Sequence, residues 1–556
     1  MDVQSLRSSQ GCPTPRPTSF IKWPLFLPVA KRGSVNPYSK FNCETSRRNC
    51  SSKPEGLKLE LKSKIGRRAA LLGGGAVIGG LLTKSFSSSN PTLDGTRSIE
   101  PIGTAGTLND ASELSETSIF RHIILKDDPG EQLIASIRAE LDEARANNRP
   151  VNVGAARHSM GGQAIPREGH AITFENGLVE PDSVNQLMRV HAGARWSDVI
   201  ATADPIGLGP RVMQSNNDFG IAATFCVNAH GWPVKEGPMG SSVRSFDMIL
   251  PDGTLATCSR TKNPDLFGMT MGGYGLTGII TQMDVDLAQN QRLEPTFAEM
   301  PAEIFGDKFI EALADETVKM AYGRLNVQRA SFMSDALLIT YRPSTDQSDL
   351  PAASGSGAAA KVASRIYRAQ LGNERMKRLR WWFEADLATK LASGPVTRNN
   401  LINEPVVTLD DRNPDRTDIL HEYFISPDRF AEFAMLCRRV IPGSYQEFLN
   451  VTLRFVDTDS ASWLGYATTS RIAAVMSFSQ ELTARAEADM RRMTQELIDG
   501  VISIGGTYYL PYRPHARQDQ FTRAYPRASE FAAAKRAMDP DLLLRNNLWD
   551  SYLEAL

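Results

Sequence analysis

Val151-Asn152-Val153-Gly154-Ala155-Ala156-Arg157-His158-Ser159-Met160-Gly161-Gly162-Gln163 is a short β-rich run that feeds a loop of small residues. The backbone N–H groups of such a loop point outward and can hold an anion. Gly161 and Gly162 let the chain approach a bound group closely. An ordinary turn has little use for the polar pair His158-Ser159, so the loop is a candidate binding element. Upstream, residues 130–147 place Leu133, Ile134, Ile137 and Leu141 on one face of a helix. Downstream, Ala171–Phe174, Leu187–Ala192, Val243–Leu250 and Gly278–Leu287 read as strands, with turn signals such as Pro251-Asp252-Gly253-Thr254 between them. Strands mixed with a few helices predict an α+β domain over 119–290.

Two further glycine-rich stretches follow. Asn216 to Gly231 contains Asn228-Ala229-His230-Gly231, and Gly237-Pro238-Met239-Gly240-Ser241-Ser242 comes shortly after. Small residues and amides suit a flat ring and a diphosphate lying against exposed backbone. The third stretch is Gly272-Gly273-Tyr274-Gly275-Leu276-Thr277-Gly278-Ile279-Ile280, a literal G-x-G-x-x-G. A dinucleotide site of the Rossmann kind needs a helix to start there. Ile279–Leu287 reads instead as a strand, with Val285 and Leu287 alternating with Asp284 and Asp286, which argues against that fold.

The order of these segments, together with the strand-to-helix stretch Val190-His191-Ala192-Gly193-Ala194-Arg195-Trp196-Ser197-Asp198-Val199, resembles the vanillyl-alcohol oxidase and p-cresol methylhydroxylase flavoproteins, in their aldonolactone, alditol and cytokinin oxidoreductase branch. The resemblance implies a two-domain α+β fold: an FAD-binding domain of the p-cresol methylhydroxylase type and a substrate-capping α+β domain. It implies FAD contacts from Gly154, Arg157, His158, Ser159, Met160, Gly161, Gly162, Asn228, His230, Gly231, Gly240, Ser241, Gly273, Gly275, Gly278, Ile280 and Asn546. Members of the branch often carry Gly-His-Ser, whose histidine bonds covalently to the flavin. Here the motif is Arg157-His158-Ser159, so a covalent His158 link and a merely hydrogen-bonded His158 both stay open.

The resemblance continues beyond residue 290. Thr452 and Arg454 alternate onto one face of the strand Asn450–Phe455, where sugar-acting relatives carry Glu-x-Arg. Arg454 is kept, the acid is not, and Arg454 is a candidate to steady developing negative charge. Pro514-His515-Ala516-Arg517-Gln518 resembles the family's Pro-His-Trp-x-Lys, making His515 a candidate proton acceptor flanked by Tyr509 and Tyr512. Met538-Asp539-Pro540 to Asn546 resembles the closing segment that returns to the FAD domain. The expected layout is leader 1–83, linker 84–118, FAD domain 119–290, cap 291–504 and C-terminal return 505–556. Within the cap, Phe309–Ala314, Lys361–Leu371 and Ala484–Ile502 read as helices and Leu337–Tyr341 as a strand.

The implied reaction is oxidation of a CH–OH group on a small polyol- or sugar-like substrate, with oxygen or another acceptor reoxidising the flavin. One alternative is a 2-hydroxy-acid dehydrogenase, which requires a second cation near Arg454; Arg513 or Arg517 would serve. Another is a flavin-binding protein without turnover.

Charge is uneven. Residues 1–68 hold fourteen Lys or Arg and four Asp or Glu, so the rest carries −11 of the net −1. An acidic body argues against a nucleic-acid partner. Residues 1–64 have transit-peptide composition. Arg67-Arg68 before the uncharged run Ala69–Leu82 resembles a twin-arginine export signal, and fourteen residues are short for a bilayer span. The two in tandem suggest a plastid protein delivered to the thylakoid lumen, or else bacterial periplasmic export. Cys226, Cys258 and Cys437 show no metal or disulfide spacing, and His122, His170, His191 and His421 share no spacing that suggests a metal.

Overall fold

A computed structural model describes residues 106–348, 350–354, 365–387, 395–404, 413 and 415–556. The leader and most of the expected linker lie outside these residues. All described residues belong to one compact unit.

Strands β1 (Thr107–Leu108) and β2 (Thr117–Ser118) form a short antiparallel ladder. Residues 106–118 are therefore not linker. Buried Asp110 holds them to the body, accepting a hydrogen bond from Gly162 N at 2.7 Å. Strands β3 (Arg121–Leu125), β4 (Val151–Val153) and β5 (His170–Phe174) make a parallel sheet in the order β3-β5-β4. Parallel neighbours need a long crossover, here supplied by α1 (Glu131–Ala146), which buries Leu133, Ile134, Ile137 and Leu141 as their spacing predicts.

A second sheet runs β10-β9-β11-β7-β6, with β8 also on β11. Its strands are β6 (Val179–Asp182), β7 (Leu187–His191), β8 (Leu208–Pro210), β9 (Val243–Ile249), β10 (Leu255–Ser259) and β11 (Ile279–Gln289). The glycine repeat at 273–278 thus leads into β11, not a helix. Between these strands lie α2 (Trp196–Ala203), α3 (Ile221–Cys226) and α4 (Pro264–Thr270).

The third sheet has eight strands in the order β15-β12-β14-β13-β17-β18-β16-β19. They are β12 (Arg292–Pro301), β13 (Met320–Leu325), β14 (Asp335–Pro343), β15 (Val396–Thr397), β16 (Arg416–Ile425), β17 (Glu447–Val456), β18 (Arg471–Glu481) and β19 (Thr507–Tyr508). Its helices are α5 (Phe305–Leu313), α6 (Glu374–Trp382), α7 (Arg398–Ile402), α8 (Phe430–Val440), α9 (Ala484–Ser503), α10 (Gln518–Ala524) and α11 (Ala528–Met538). One core joins α5, α8, α9, α10 and α11 to the back of this sheet through Ile419, Tyr423, Val451, Leu453 and Met476. The other core contains the two N-terminal sheets and, without a break at residue 290, Met320, Tyr322, Leu337, Ile339 and Tyr341. The front of the large sheet consequently faces the glycine loops. Among the described residues no helix is long and apolar enough to cross a membrane.

Candidate functional site

The loop after β4 is fixed from several sides. Met160 N donates to Pro511 O at 2.7 Å, and Gln163 Nε2 donates to Leu510 O at 2.7 Å and Tyr512 O at 2.9 Å. A Cβ at Gly161 would lie 2.7 Å from Tyr512 O, so only glycine allows this approach. Arg157 has φ 51°, the left-handed region that costs a non-glycine residue conformational energy. Glycine, which the resemblance implies at this position, would adopt that region freely. Its buried guanidinium donates to Thr173 Oγ1 at 3.1 Å. Ser159 is half-buried in the same turn.

His158 rests against Phe219 with ring centroids 4.2 Å apart. Its Nε2 is buried and has no hydrogen-bond partner among the described residues. Burial, aided by the Arg195 charge, lowers its pKa to about 3, so the ring is neutral near pH 7. A cavity of about 300 Å³ lined by Ala155, Thr173, Gly193, Arg195 and Gly220 opens nearby.

The other two glycine stretches meet this loop. Asn228, with φ 48°, accepts from Gly240 N at 3.0 Å and donates to Asp459 at 2.9 Å. Gly272 N and Tyr274 N donate to Phe225 O and Cys226 O at 3.1 and 2.9 Å. Asn546 Nδ2 donates to Tyr274 O at 2.8 Å, and Asn547 Nδ2 to Gly161 O at 2.5 Å. The C-terminal segment also pairs Leu544 beside Val151. Gly275 lies next to Asn152, whose buried side-chain oxygen and nitrogen both lack partners among the described residues. Buried amides are normally satisfied, so the orphaned atoms of Asn152 and His158 fit a bound polar cofactor between these turns. At other expected contacts the structure shows a packing role. A Cβ at Gly231, Gly273 or Gly278 would strike Met213 O, Met269 O or Met248. Ile280 is buried at the start of β11, and Ser241 is exposed.

Facing these loops, the front of the large sheet presents a polar cluster that joins the expected His230, Arg454, Tyr509 and Tyr512 to Glu422, which sequence reading did not find. His230 Nε2 donates to Glu422 Oε1 in a buried pair, and Tyr512 OH donates to Glu422 Oε2 at 3.0 Å. His230 Nδ1 is buried without a partner among the described residues. Phe424, Tyr466 and Tyr509 wall the imidazole at centroid distances of 5.5, 6.1 and 6.4 Å. Arg454 donates to His230 O at 3.3 Å and Ser215 Oγ at 3.1 Å. Burial lowers the Arg454 pKa, against the pull of Glu422. The acid absent from position 452 is therefore present two strands away: Thr452 pairs with Val475, and Val475 with Glu422. The alternation Asp418, Leu420, Glu422, Phe424 along β16 was the available signal; strand order was not.

His515 is placed elsewhere. It is fully buried on the helix side, where Nε2 meets Glu487 at 2.7 Å and Nδ1 meets Thr494 at 3.3 Å. Thr494 also reaches His421, whose neighbour on β16 is Glu422 on the opposite face. His515 thus braces α9 and does not face the front cluster. The candidate cations Arg513 and Arg517 are likewise engaged, Arg513 with Glu487 at 2.8 Å and Arg517 with Asp499 and Asp519.

Burial and the nearby His515 depress the His421 pKa from 6.5 to about 3. The unfolded chain takes up this proton below about pH 6.5, whereas the folded chain does not until about pH 3. Stability present above pH 6.5 should therefore fall with pH through that window, by at most about 1.4 kcal/mol per pH unit for one group. Thermal midpoints of wild type and His421→Gln between pH 4 and 7 should show a shallower acid slope in the variant; equal slopes would remove His421 as a cause.

A family model described as an FAD binding domain matches residues 133–259, the region that holds the first two glycine stretches. This region carries an FAD-binding domain, in keeping with the resemblance to the vanillyl-alcohol oxidase and p-cresol methylhydroxylase flavoproteins. It is 32% identical over 148 residues to cytokinin dehydrogenase 6 of Oryza sativa subsp. japonica, covering 25% of this chain and 28% of that protein. It is 30% identical over 169 residues to cytokinin dehydrogenase 2 of Arabidopsis thaliana, covering 29% and 33%. It is also 30% identical over 160 residues to an FAD-dependent monooxygenase of Cochliobolus heterostrophus, covering 26% and 29%. The chain thus spans a third or less of the length of these relatives. The matched FAD-binding domain accords with the α+β sheets, the strand after Gly278 and the convergence of the glycine turns. Among the described residues no group of three or more His, Cys, Asp or Glu is placed to hold a metal.

Proposed function

We propose that the protein is an FAD-dependent oxidoreductase that oxidises a CH–OH group of a small substrate, polyol- or sugar-like in the family's pattern. The observation that carries this is the buried His230–Glu422 pair at the junction of the cofactor loops and the large sheet. An ionised carboxylate only accepts, so Glu422 fixes the proton on Nε2 and leaves a lone pair on Nδ1. That nitrogen can take the substrate's hydroxyl proton. Arg454, held by Ser215 and the His230 carbonyl, steadies negative charge developing on the oxygen. The aromatic walls exclude water. FAD, when bound, supplies the two-electron acceptor, which oxygen or another acceptor then restores.

The test is anaerobic reduction of the purified flavoprotein by polyols, sugars and hydroxy acids, followed by loss of flavin absorbance. Bleaching by one of them supports an oxidoreductase. A yellow protein that none of them reduces favours a flavin carrier.

The neutral His158 Nε2, without a hydrogen-bond partner among the described residues, has the chemistry required for a covalent bond to the flavin. After acid precipitation of wild type, flavin should remain with the pellet, and His158→Ala should release it to the supernatant. Flavin released entirely from wild type would end the covalent reading.

A further inference from the structure

The turn that carries His230 belongs by sequence to the cofactor half, yet its carbonyls are held from beyond residue 320. Val227 O accepts from Tyr509 OH at 2.7 Å and Asn228 O from Tyr466 OH at 2.5 Å. His230 O accepts from Arg454 Nη1 at 3.3 Å, and Trp232 O from Ala321 N at 3.1 Å. Ala229 O turns back instead, accepting from Met239 N at 2.6 Å. Burial pushes the Tyr466 and Tyr509 phenols well above their ordinary pKa, so both stay donors.

Asn228 stands at the centre of this turn. Its φ of 48° is left-handed, a conformation that persists only where the surroundings impose it. Its N donates to Phe225 O at 2.9 Å and its carbonyl is taken by Tyr466. Its side chain is engaged at both ends: Oδ1 accepts from Gly240 N at 3.0 Å, and Nδ2 donates to Asp459 Oδ2 at 2.9 Å. Of these partners only Asp459 brings a charge, and a hydrogen bond to a carboxylate is the stronger kind.

Asp459 lies in the loop 457–470 between β17 and β18. Its Oδ1 organises its own loop, accepting from Ala461 N at 2.9 Å and Ser462 N at 3.2 Å. Its Oδ2 accepts from Ser462 Oγ and reaches across to Asn228. The loop is anchored on the cofactor half, where Asp457 N donates to Glu236 O at 2.9 Å and Trp463 N to Gly268 O at 3.2 Å. On the other side the Tyr466 ring stacks on Phe424 at a centroid distance of 3.9 Å. Phe424 shares the front face of β16 with Glu422. One loop therefore touches the backbone on both sides of the acid–base pair, beside His230 through Asn228 and beside Glu422 through Phe424.

We propose that Asp459 is a positioning residue for the proton transfer: acting through Asn228, it fixes where His230 presents Nδ1. This rests on the reading of His230 as proton acceptor given above. Without the carboxylate the Asn228 amide loses its strongest partner, and the left-handed turn that sets His230 against Glu422 loosens. A displacement on the order of 1 Å at a reacting group is enough to cost about 10²-fold in rate.

The experiment uses the full FAD-loaded protein and the donor that reduces wild type fastest, with rates taken per bound flavin. Asp459→Asn keeps the side chain's shape and removes its charge. It should lower kcat about 10- to 100-fold while KM stays within about threefold. Tyr466→Phe keeps the ring on Phe424 and removes one donor, so it should lower kcat about 3- to 10-fold. In a His230→Ala background, adding Asp459→Asn should change the rate by less than about twofold, because its effect runs through that imidazole. Hydrogen exchange followed by mass spectrometry gives a readout apart from activity. Peptides covering 225–234 should exchange about tenfold faster in Asp459→Asn than in wild type.

Wild-type kcat in both Asp459→Asn and Tyr466→Phe would overturn the proposal. So would an Asp459→Asn that slows His230→Ala as much as it slows wild type. Should Asp459→Asn hold too little flavin to assay, Tyr466→Phe and its combination with His230→Ala decide in the same way. His230→Ala reduced as fast as wild type would overturn the proton-acceptor reading itself, and the proposal with it. Faster exchange at 225–234 with no donor able to reduce the wild-type flavin would keep the brace on the turn and overturn the oxidoreductase reading.

Discussion

Glu422→Gln should slow flavin reduction by the substrate roughly 10²–10⁴-fold, the range for loss of a general base or of the group that orients it. The glutamine keeps the volume and can still accept from His230 Nε2, but it no longer imposes one tautomer. Its amide can donate, so Nε2 can become the acceptor and Nδ1 the protonated nitrogen, which removes the lone pair from the substrate side. Flavin content should stay near wild type, because the cofactor turns are held by Asn546, Asn547, Asp110 and Gln163 and not by Glu422. His230→Ala should cost a similar factor, and the double variant little more than either alone, since the two act as one unit. Rapid-mixing reduction under anaerobic conditions measures this. A Glu422→Gln protein that is reduced within about threefold of wild type, judged against that expected range, would remove the pair from the chemistry.

The largest effect on stability is expected at the opposite end of the chain. Lys535 and Asp539 form a buried ion pair one turn apart at the end of α11. Asp539 also accepts from Leu543 N at 2.9 Å and Leu544 N at 2.8 Å, setting the strand segment that pairs with Val151. Burial lowers the Lys535 pKa to about 8 despite the Asp539 carboxylate. Asp539→Ala strands a buried cation and frees two backbone donors, so it should cost about 3–5 kcal/mol. Because Asn546 and Asn547 follow directly, the same variant should lose flavin on gel filtration. Lys535→Met combined with Asp539→Leu removes both charges and should recover part of the unfolding midpoint, though not the flavin, since the two N–H groups stay unpaired. Unfolding midpoints and bound-flavin absorbance distinguish these outcomes. An Asp539→Ala protein as stable as wild type would show that the pair contributes nothing.

Much of the cofactor half could be read in the sequence because its signals are local. The spacing in 131–146, the run Val151–Val153 into small residues, and the alternation after Gly278 each depend on neighbours within one turn or strand. The same locality misled at 106–118, where composition suggests a linker. A single carboxylate, Asp110, reaching Gly162 makes that segment part of the body. His515 failed for a related reason: its motif resembles a catalytic one, yet Glu487 and Thr494 claim both of its nitrogens.

Sequence alone determined the turn chemistry, namely which stretches could bare their amides and which residue, Arg157, stood in glycine's place. Tertiary structure decided which side chains share a face. Register between residues 23 to 128 apart in sequence set Arg324, Thr452 and Glu422 in one row. Side-chain period within a strand is fixed by the pleat, but the neighbour across the ladder is fixed by packing of the whole sheet, and no local pattern encodes it.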